Sequence, residues 1–402
     1  MPRSYAMLST YPPTQCGLAT FSASLLAHLP APGDRVGVVR VLDGQARSRP
    51  PEVAGDLVAG SPASAVAAAT LLNSYDVAIV QHEYGIYGGP DGRDLIPLLS
   101  SLTVPSIVVL HTVLGRPSPS QRMVLDEVTS AAGGVVTMTE TARLRLLNIY
   151  GTDAAKVSVI PHGAADNRVT GPRRRAERPR IVTWGLLGPG KGIEHAIDAV
   201  ALLRVSGIET DYVVAGQTHP RVREADGESY RCSLEERARA RHVGDLVHFD
   251  PRYLPAGSLG DLISSADVVV LPYQSLEQVT SGVLIEAVAA GKPVVATCFP
   301  HSVELLASGA GLLVVPGDPG GLAKALRRVI TEPGLSARMS RHAGDLAPQF
   351  LWPAVAAGYR DLAASLIKNA SISRAASLAT PVPVAPAAAG APAAAAARAA
   401  AL

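Results

Sequence analysis

Cysteine is scarce in this chain, where Cys16, Cys232 and Cys298 stand far apart in 402 residues. The absence of any Cys-x-x-Cys pair excludes a zinc ribbon and a thioredoxin-type redox motif. A sparse, odd set of cysteines is typical of a reducing compartment. We therefore expect a cytoplasmic protein rather than a secreted scaffold held together by disulfides.

An excess of charge and long apolar runs are also missing. Lys and Arg number 36 against 34 Asp and Glu, which leaves a net charge of +2. Proteins that bind nucleic acid usually carry a strong basic excess, so we expect no nucleic-acid partner. No strongly apolar stretch reaches the roughly 18 residues of a membrane-spanning helix. The N-terminus has no signal-peptide pattern, and we expect no transmembrane segment.

The apolar residues, 48% of the sequence, follow two alternating patterns. Short β-branched runs are typical of buried parallel strands, whereas Leu18, Phe21, Leu25 and Leu29 show the 3.6-residue period of a helix. Alternating strands and helices predict an α/β fold with doubly wound, Rossmann-like parallel sheets. The predicted strands cover residues 36–41, 77–80, 106–110, 134–138, 157–160, 180–184, 211–215, 267–271, 293–296 and 311–315.

A change in composition divides the chain into two domains. Residues 167–179 are polar and lack periodicity, which predicts a boundary between a first domain, residues 1–168, and a second, residues 178–349. The basic cluster there is read as a solvated linker, with peripheral contact to anionic lipid head groups as the alternative. Apolar residues every three or four positions predict a helix over 350–368. The Ala/Pro-rich remainder, 369–402, is predicted to be disordered.

A glycine-rich turn between a strand and a helix is the most informative segment of the sequence. Gly185, Gly188, Gly190 and Gly192 surround Lys191 there. Glycines let the backbone approach an anion closely, and a helix start supplies unpaired N–H groups. The spacing matches most of a P-loop, but Gly192 occupies the Ser/Thr position. We favour an anion site over a simple tight turn.

A second helix start lies further along the chain, at Ser281 and Gly282. Glu286 lies four residues beyond Gly282, on the same face one turn along. An anion at the helix start and a hydroxyl pair at Glu286 would suit the phosphate and ribose of a nucleotide. The alternative for Glu286 is a solvated carboxylate, although its neighbours are apolar and a buried acid needs a partner.

These two segments resemble the retaining nucleotide-sugar glycosyltransferases of the GT-B fold, the group 1 family (family four). The family loop Gly-Arg-Leu-x-x-x-Lys-Gly corresponds to residues 185–192, where Leu186 replaces the arginine. The family motif Glu-x7-Glu ends at Glu286, and its Ala-x-Ala-x-Gly-x-Pro-Val-Val continuation corresponds to residues 287–295. Gln278 occupies the position of the first acid, and Glu277 lies one residue early.

The resemblance implies a role for each matching residue. Lys191, His111 and Gln278 would serve catalysis, with His111 and Gln278 at the donor sugar. Donor contacts are also implied for a set of loop and helix-start residues, namely Gly17, Gly188, Gly190, Arg252, Tyr253, Ser281, Gly282 and Glu286. Acceptor contacts are expected from polar residues of the first domain, namely Gln15, His82, Glu83 and Tyr84. The segment Pro161-His162-Gly163 resembles the hinge of the family and is read as structural.

The reaction that the resemblance implies is hexosyl transfer from a nucleoside diphosphate sugar to a carbohydrate or glycolipid acceptor, with retention of configuration. No cofactor is expected. The sequence contains no Asp-x-Asp and no metal-ligand spacing, so we expect a metal-independent enzyme. Leu186 and Gln278 depart from the family pattern. They leave three alternatives open: a nucleotide-sugar epimerase, a sugar phosphorylase and a non-catalytic nucleotide-sugar or glycan-binding protein.

Overall fold

The computed structural model describes residues 2–44, 48–168 and 177–379. Most of the predicted linker, residues 169–176, and the end of the predicted tail, residues 380–402, lie outside this range. The described residues form two α/β units, each built on one parallel sheet with helices on both faces. Apolar clusters fill both faces of each sheet, as buried parallel strands require.

The first domain contains a seven-stranded sheet within the described residues, in the order β3-β2-β1-β4-β5-β6-β7. Its strands are β1 (Ser4–Ser9), β2 (Arg35–Leu42), β3 (Val53–Val58), β4 (Val77–His82), β5 (Ser106–Leu110), β6 (Gly134–Thr137) and β7 (Val157–Val159). Its helices are α1 (Gly17–His28), α2 (Pro62–Leu72), α3 (Leu95–Ser100), α4 (Pro119–Ala131) and α5 (Glu140–Tyr150). The strand order reverses between β1 and β4, and such a switch point is where ligands bind in open parallel sheets.

The second domain contains a six-stranded sheet in the same part of the chain, in the order β10-β9-β8-β11-β12-β13. Its strands are β8 (Arg180–Trp184), β9 (Asp211–Ala215), β10 (Val247–Asp250), β11 (Val268–Leu271), β12 (Val294–Thr297) and β13 (Gly311–Val314). Its helices are α6 (Ile193–Val205), α7 (Pro220–Asp226), α8 (Ser229–Ala240), α9 (Ala256–Ser265), α10 (Gly282–Ala289), α11 (Pro300–Leu306), α12 (Pro319–Thr331) and α13 (Leu335–Phe350). Its switch point lies between β8 and β11, which precede the two glycine-containing helix starts identified in the sequence.

The predicted strand ranges 106–110, 180–184 and 211–215 coincide with β5, β8 and β9. The predicted set omits β1, β3 and β10. Both β3 and β10 are edge strands, and their sequences carry polar residues such as Asp56 and His248 instead of a continuous apolar run. The missing apolar run explains why β3 and β10 are omitted, but not β1, which is central and buried, and the edge strands β7 and β13 are predicted.

The chain crosses between the domains near residue 164 and again near residue 351. A parallel bridge joins Ala164 to Leu351, and the Ala164 N–H donates to the Phe350 carbonyl at 2.7 Å. Helix α14 (Trp352–Ala379) then returns to the first domain, where Trp352 and Tyr359 pack in one apolar cluster with residues of β1 and α1.

The prediction that disorder begins at residue 369 places its start too early. Helix α14 continues to Ala379, because residues 369–379 are mostly Ala and Ser with no proline. Alanine has the highest intrinsic helix propensity, so a helix already anchored by packing extends through such a segment. The part of the prediction that concerns residues 380–402 lies outside the described residues.

Polar contacts join the domains along the cleft. On α11 of the second domain, the Glu304 carboxylate accepts the N–H groups of Glu140 and Thr141, both at 2.8 Å. These are first-turn amides of α5, which have no partner inside their own helix. On α7, the Arg221 guanidinium donates to the Gly85 carbonyl in the loop after β4.

Candidate active site

The glycine-rich loop between β8 and α6 has a shape that only glycine permits at one position. Gly192 has a φ of 67°, and a Cβ on it would lie 1.9 Å from the Pro272 carbonyl oxygen. The Gln274 N–H donates to the Gly190 carbonyl at 2.9 Å, which ties the loop to the segment after β11. The loops that follow the two strands at the switch point are therefore packed directly against each other.

Lys191 lies at the end of this loop and is partly exposed. Its ammonium nitrogen is 4.3 Å from the centre of the Tyr273 ring, which is itself buried. A cation held over an aromatic face is attracted by the ring's quadrupole. The ring thus orients the positive charge at the mouth of the second-domain switch point.

The start of α10 is capped by the chain itself. The Ser281 hydroxyl accepts the Leu284 N–H at 3.3 Å, and the Ser281 N–H donates to His301 Nδ1 at 2.8 Å. The Ser281 N–H is thus already bonded within the protein, and the donor contact predicted for Ser281 would have to come from another of its atoms. Gly282 and Val283 supply the first-turn amides that remain for an anion.

Glu286 lies on α10, and the Trp184 indole N–H donates to its Oε2 at 2.7 Å. Burial raises the pKa of the Glu286 carboxyl to about 6, and the indole hydrogen bond opposes that rise. The contact joins the end of β8 to α10. One carboxylate oxygen is engaged, while the other is the acceptor available to a ligand.

Gln278 lies in the segment before α10, where its side-chain amide donates to the Thr280 carbonyl. Its neighbour Glu277 points to the first domain and accepts the Gly115 N–H at 2.6 Å. The structure thus gives the two candidates for the first motif acid different surroundings: Gln278 folds onto its own segment, and Glu277 crosses to the other domain.

His111 follows β5 and is held by a side chain of the neighbouring strand β4. Its Nε2 donates to Gln81 Oε1 at 2.7 Å, and its ring meets the edge of Phe21. Burial first, and then the neighbouring His162 and His82, lower the pKa of His111 to about 3. The ring is therefore neutral at pH 7, and Nδ1 carries a lone pair that can accept a hydroxyl hydrogen bond.

His82 is the last residue of β4 and is fully buried. Neither of its ring nitrogens has a hydrogen-bond partner among the described residues, and the ring packs edge-on against Tyr84. Burial lowers the pKa of His82 to about 4. For His82 to contact the acceptor substrate as predicted, the ligand would have to reach a fully buried side chain.

Glu83 follows His82 and bridges two strand ends. Its carboxylate accepts the Thr112 hydroxyl at 2.6 Å and the Tyr84 N–H at 3.1 Å. Burial raises the pKa of Glu83, and these hydrogen bonds oppose the rise. Glu83 and Tyr84 are partly exposed and lie at the carboxyl edge of the first sheet. A ligand can therefore reach them more readily than it can reach His82.

The loop after β1 carries Gln15, which is exposed, and Gly17, the first residue of α1. The Cys16 sulfur caps this helix by accepting the Ala19 N–H at 3.4 Å. From the second domain, the Tyr253 hydroxyl shares a hydrogen bond of 2.6 Å with Thr20. Tyr253, predicted to flank a base, thus contacts the first domain.

Arg252, the other residue predicted to flank a base, forms a bidentate ion pair with Asp250 at 2.6 and 2.8 Å. Its side chain is 74% exposed. An exposed pair of this kind is screened by water and contributes little to stability. A base contact from Arg252 would require this pair to open or the guanidinium face to be used.

Sequence reasoning missed three residues of this site: Gln81, Trp184 and His301. Each reaches a predicted residue through one hydrogen bond, at His111, Glu286 and Ser281 respectively. A polar residue in an otherwise apolar strand, as Gln81 is in β4, was the one available signal. Nothing local in the sequence indicates the other two, because their partners are far away in the chain.

No group of three or more His, Cys, Asp or Glu side chains in the described part of the chain is arranged to hold a metal ion. None of the described helices combines the length and the apolar character that crossing a bilayer requires.

The second domain matches a family of known proteins. The sequence model of the family "Glycosyl transferases group 1" matches residues 170–345. D-inositol 3-phosphate glycosyltransferase 2 of Catenulispora acidiphila is 29% identical over 282 residues, or 66% of this chain. D-inositol 3-phosphate glycosyltransferase of Acidothermus cellulolyticus is 30% identical over 305 residues, or 68% of this chain. The matched region spans 65% of the length of each relative.

Solved structures match over more of the chain. Sucrose-phosphate synthase from Thermosynechococcus elongatus superposes with a TM-score of 0.74 at 19% identity, covering 91% of this chain and 100% of that one. HepE from Anabaena, solved in complex with UDP, gives 0.68 at 17% identity and covers 90% and 100%. Residues 170–345 therefore match the glycosyl transferases group 1 family, and the two parallel-sheet domains have the GT-B fold.

Proposed function

We propose that this protein is a retaining glycosyltransferase that moves a hexosyl group from a nucleoside diphosphate sugar to a hydroxyl of an acceptor. The observation that carries the proposal is the pairing of Lys191 with the start of α10 at one switch point. A positive charge and free first-turn amides there face the same cleft end of the second sheet. Such an arrangement stabilises the charge that develops on a departing diphosphate.

The remaining donor contacts follow from this placement. Glu286 lies one turn along α10 and would accept hydrogen bonds from the ribose hydroxyls through its free oxygen. His111, neutral and held by Gln81, would accept a hydroxyl of the donor sugar at Nδ1. Gln278 would meet the same sugar from the second domain. Neither a cofactor nor a metal ion is assigned a role, since Lys191 and helix amides supply the positive charge.

The acceptor would bind on the first domain, at Glu83, Tyr84 and Gln15. These residues offer a carboxylate, a phenol and an amide, all suited to hydroxyl groups. Two of the relatives are named for D-inositol 3-phosphate, so this compound is the first acceptor to test. A carbohydrate or glycolipid with free hydroxyls is the broader class. We place the reaction in the cytoplasm, in keeping with the sparse cysteines.

A thermal-shift panel tests the donor assignment, because a ligand that binds the native state raises the apparent melting temperature. UDP, ADP, GDP, UDP-glucose and UDP-N-acetylglucosamine are measured separately, with and without EDTA. We expect at least one diphosphate and its sugar to raise the melting temperature equally well in both conditions. Product analysis with that sugar and D-inositol 3-phosphate then distinguishes transfer from hydrolysis. No shift with any member of the panel would overturn the proposal.

A non-catalytic nucleotide-sugar-binding protein is the second candidate. It is favoured by two replacements at motif positions, Leu186 for arginine and Gln278 for the first acid. Each removes a charge that the family places at the donor. Binding in the thermal-shift panel with no transfer, hydrolysis or isomerisation of the sugar would identify this candidate over the enzyme.

A further inference from the structure

Residues 276–280 lie between β11 and α10, so by their position in the sequence they belong to the second domain. This segment contains Gln278, the residue proposed to meet the donor sugar. Its contacts, however, are largely with the first domain. Two sets of contacts establish this: Glu277 and Leu276 share the Arg145 guanidinium, and Val279 packs separately.

Glu277 makes the first of these contacts. Its Oε2 accepts the Gly115 N–H at 2.6 Å and the Arg145 guanidinium at 2.9 Å. Arg145, on α5, also donates to the Leu276 carbonyl and to the Val113 carbonyl, both at 3.1 Å. Arg145 is only 18% exposed, against 38% for Glu277, so the pair is partly shielded from water. Charge-assisted hydrogen bonds of this kind are stronger than neutral ones.

Val279 makes the other contact, two residues further on. Its side chain is 2% exposed and belongs to the apolar cluster between the first sheet and helices α2 to α5. The Thr139 hydroxyl donates to its carbonyl at 3.0 Å. Gln278 is therefore flanked on both sides by residues anchored to the first domain.

The groups proposed to hold the diphosphate depend less on the first domain, although its His162 Nε2 would lie 2.9 Å from a Cβ on Gly282. The loop of Lys191 is tied to Gln274, and the Ser281 amide to His301, all within the second domain. We therefore expect binding of a nucleoside diphosphate to depend on the first domain less than binding of the sugar does. The sugar-facing segment has one backbone hydrogen bond to the second domain, from the His301 N–H to the Gln278 carbonyl at 3.4 Å, while Glu277 and Val279 anchor it to the first domain.

We infer that Glu277 is a positioning residue, which docks the 276–280 segment on Arg145 and Gly115 and so completes the donor-sugar site when the two domains close. The inference rests on the proposed function and extends it: Gln278 contacts the sugar, and Glu277 holds the segment that carries Gln278. Glu277 does not replace the first acid of the family motif as a sugar ligand. It acts on Gln278 through the backbone.

Calorimetry with two probes, UDP and UDP-glucose, tests this assignment of roles. Glu277→Ala removes both contacts, whereas Glu277→Gln keeps an oxygen for the Gly115 N–H and loses the charge. We expect UDP-glucose affinity to fall about 5- to 20-fold in Glu277→Ala and less in Glu277→Gln. UDP affinity is expected to stay within about twofold of wild type in both variants, because its contacts lie in the second domain.

Arg145→Met and its combination with Glu277→Ala complete a double-mutant cycle. Two residues that act through one contact give a double variant little worse than either single one. Glu332→Ala is the matched control, since Glu332 is also 38% exposed and pairs with Arg328 and Arg338 far from the cleft. Additive losses in the double variant, or an equal loss in the control, would overturn the inference.

A ligand-free measurement separates the inference from the proposed function. The Gly115 amide hydrogen, which donates to Glu277 Oε2, should exchange with solvent about 10-fold faster or more in Glu277→Ala. Wild-type protein that binds neither probe would count against the donor assignment, while faster exchange would still support the interdomain contact. Unchanged exchange at Gly115, or equal losses of UDP and UDP-glucose affinity, would count against Glu277 as a positioning residue.

Discussion

The polar residues of the two domains meet the cleft in different ways. In the second domain, Lys191 and the first amides of α10 are held in place yet remain open to a ligand. In the first domain, His111 is bonded to Gln81, Glu83 to Thr112, and His82 is sealed from water. One side presents charge and free donors, while the other presents neutral rings and a shielded carboxylate.

The difference reflects the ligands each side is proposed to meet. A diphosphate carries its charge to the site, so the second domain needs fixed positive groups that cost no reorganisation. A sugar hydroxyl is neutral, and buried neutral acceptors can select its orientation by hydrogen bonds alone. We expect substitutions of partly exposed groups such as Lys191 to affect mainly binding and catalysis, and those of buried groups such as Glu286 and His82 to affect stability as well.

Removing the charge of Lys191 should give the largest effect. Loss of one charge-assisted contact of about 1.5–3 kcal/mol predicts a catalytic efficiency lower by roughly 10–100-fold in Lys191→Ala. Leu186 leaves no second charge in the loop to compensate. Steady-state kinetics and thermal melting on the same sample test this, with Lys324→Ala on α12 as control. Wild-type kinetics in Lys191→Ala would mean that the loop is only a turn.

Neutralising Glu286 should reduce nucleotide-sugar affinity about 10-fold, since a carboxylate accepts stronger hydrogen bonds than an amide. The pKa of about 6 predicts that wild-type affinity falls as pH drops through 6, because the protonated carboxyl loses that acceptor strength. Glu286→Gln should remove this pH dependence. UDP-glucose is the better probe than UDP, whose terminal phosphate titrates near the same pH. A pH profile that persists in Glu286→Gln would assign it to another group.

The same carboxyl affects folding with the opposite sign. Its pKa is raised above the usual 4.5, so the folded protein holds this proton more tightly than the unfolded chain does. The stabilisation is present below about 4.5 and is lost as pH rises through about 6. In urea unfolding, Glu286→Gln should be the more stable protein at pH 7 and should match wild type at pH 4.5. The reverse order would contradict the burial of Glu286.

A first-domain substitution sharpens the contrast. His82 is buried without a hydrogen-bond partner in the described part of the chain, so its ring nitrogens cost desolvation energy. His82→Leu should raise the free energy of unfolding by about 1 kcal/mol. Urea unfolding measures this, with the exposed His248→Leu as control. A His82→Leu variant that is stable but has lost acceptor affinity would mean that a ligand reaches His82 in solution.

The smallest effect is expected from removing residues 380–402. The last side chains of α14 that pack in the first-domain cluster lie before residue 368. Truncation after Ala379 should change the melting temperature by less than about 2 °C, because a segment composed mostly of Ala and Pro has little apolar surface to bury. Thermal melting of the truncated and full chains provides the comparison. A larger fall would mean that the tail packs on the body of the protein.

The sequence was sufficient for the elements whose cause is local. The run of residues 180–184, the glycines around Lys191 and the start of α10 are each written in a few consecutive residues, and the strand and helix bounds follow. The partners of the site residues are not local. Trp184 lies 102 residues from Glu286, and Arg145 lies 132 residues from Glu277. Periodicity cannot relate positions so far apart, and only the tertiary fold brings them together.

The Glu304 carboxylate at the start of α5 has a consequence for how the protein responds to its medium. It fastens the domains by an attraction between a charge and the positive end of a helix dipole, and the neighbouring Glu277 contact is ionic as well. Dissolved ions screen partly exposed charges over about 8–10 Å at moderate ionic strength. We therefore expect higher salt concentration to weaken these contacts between the domains.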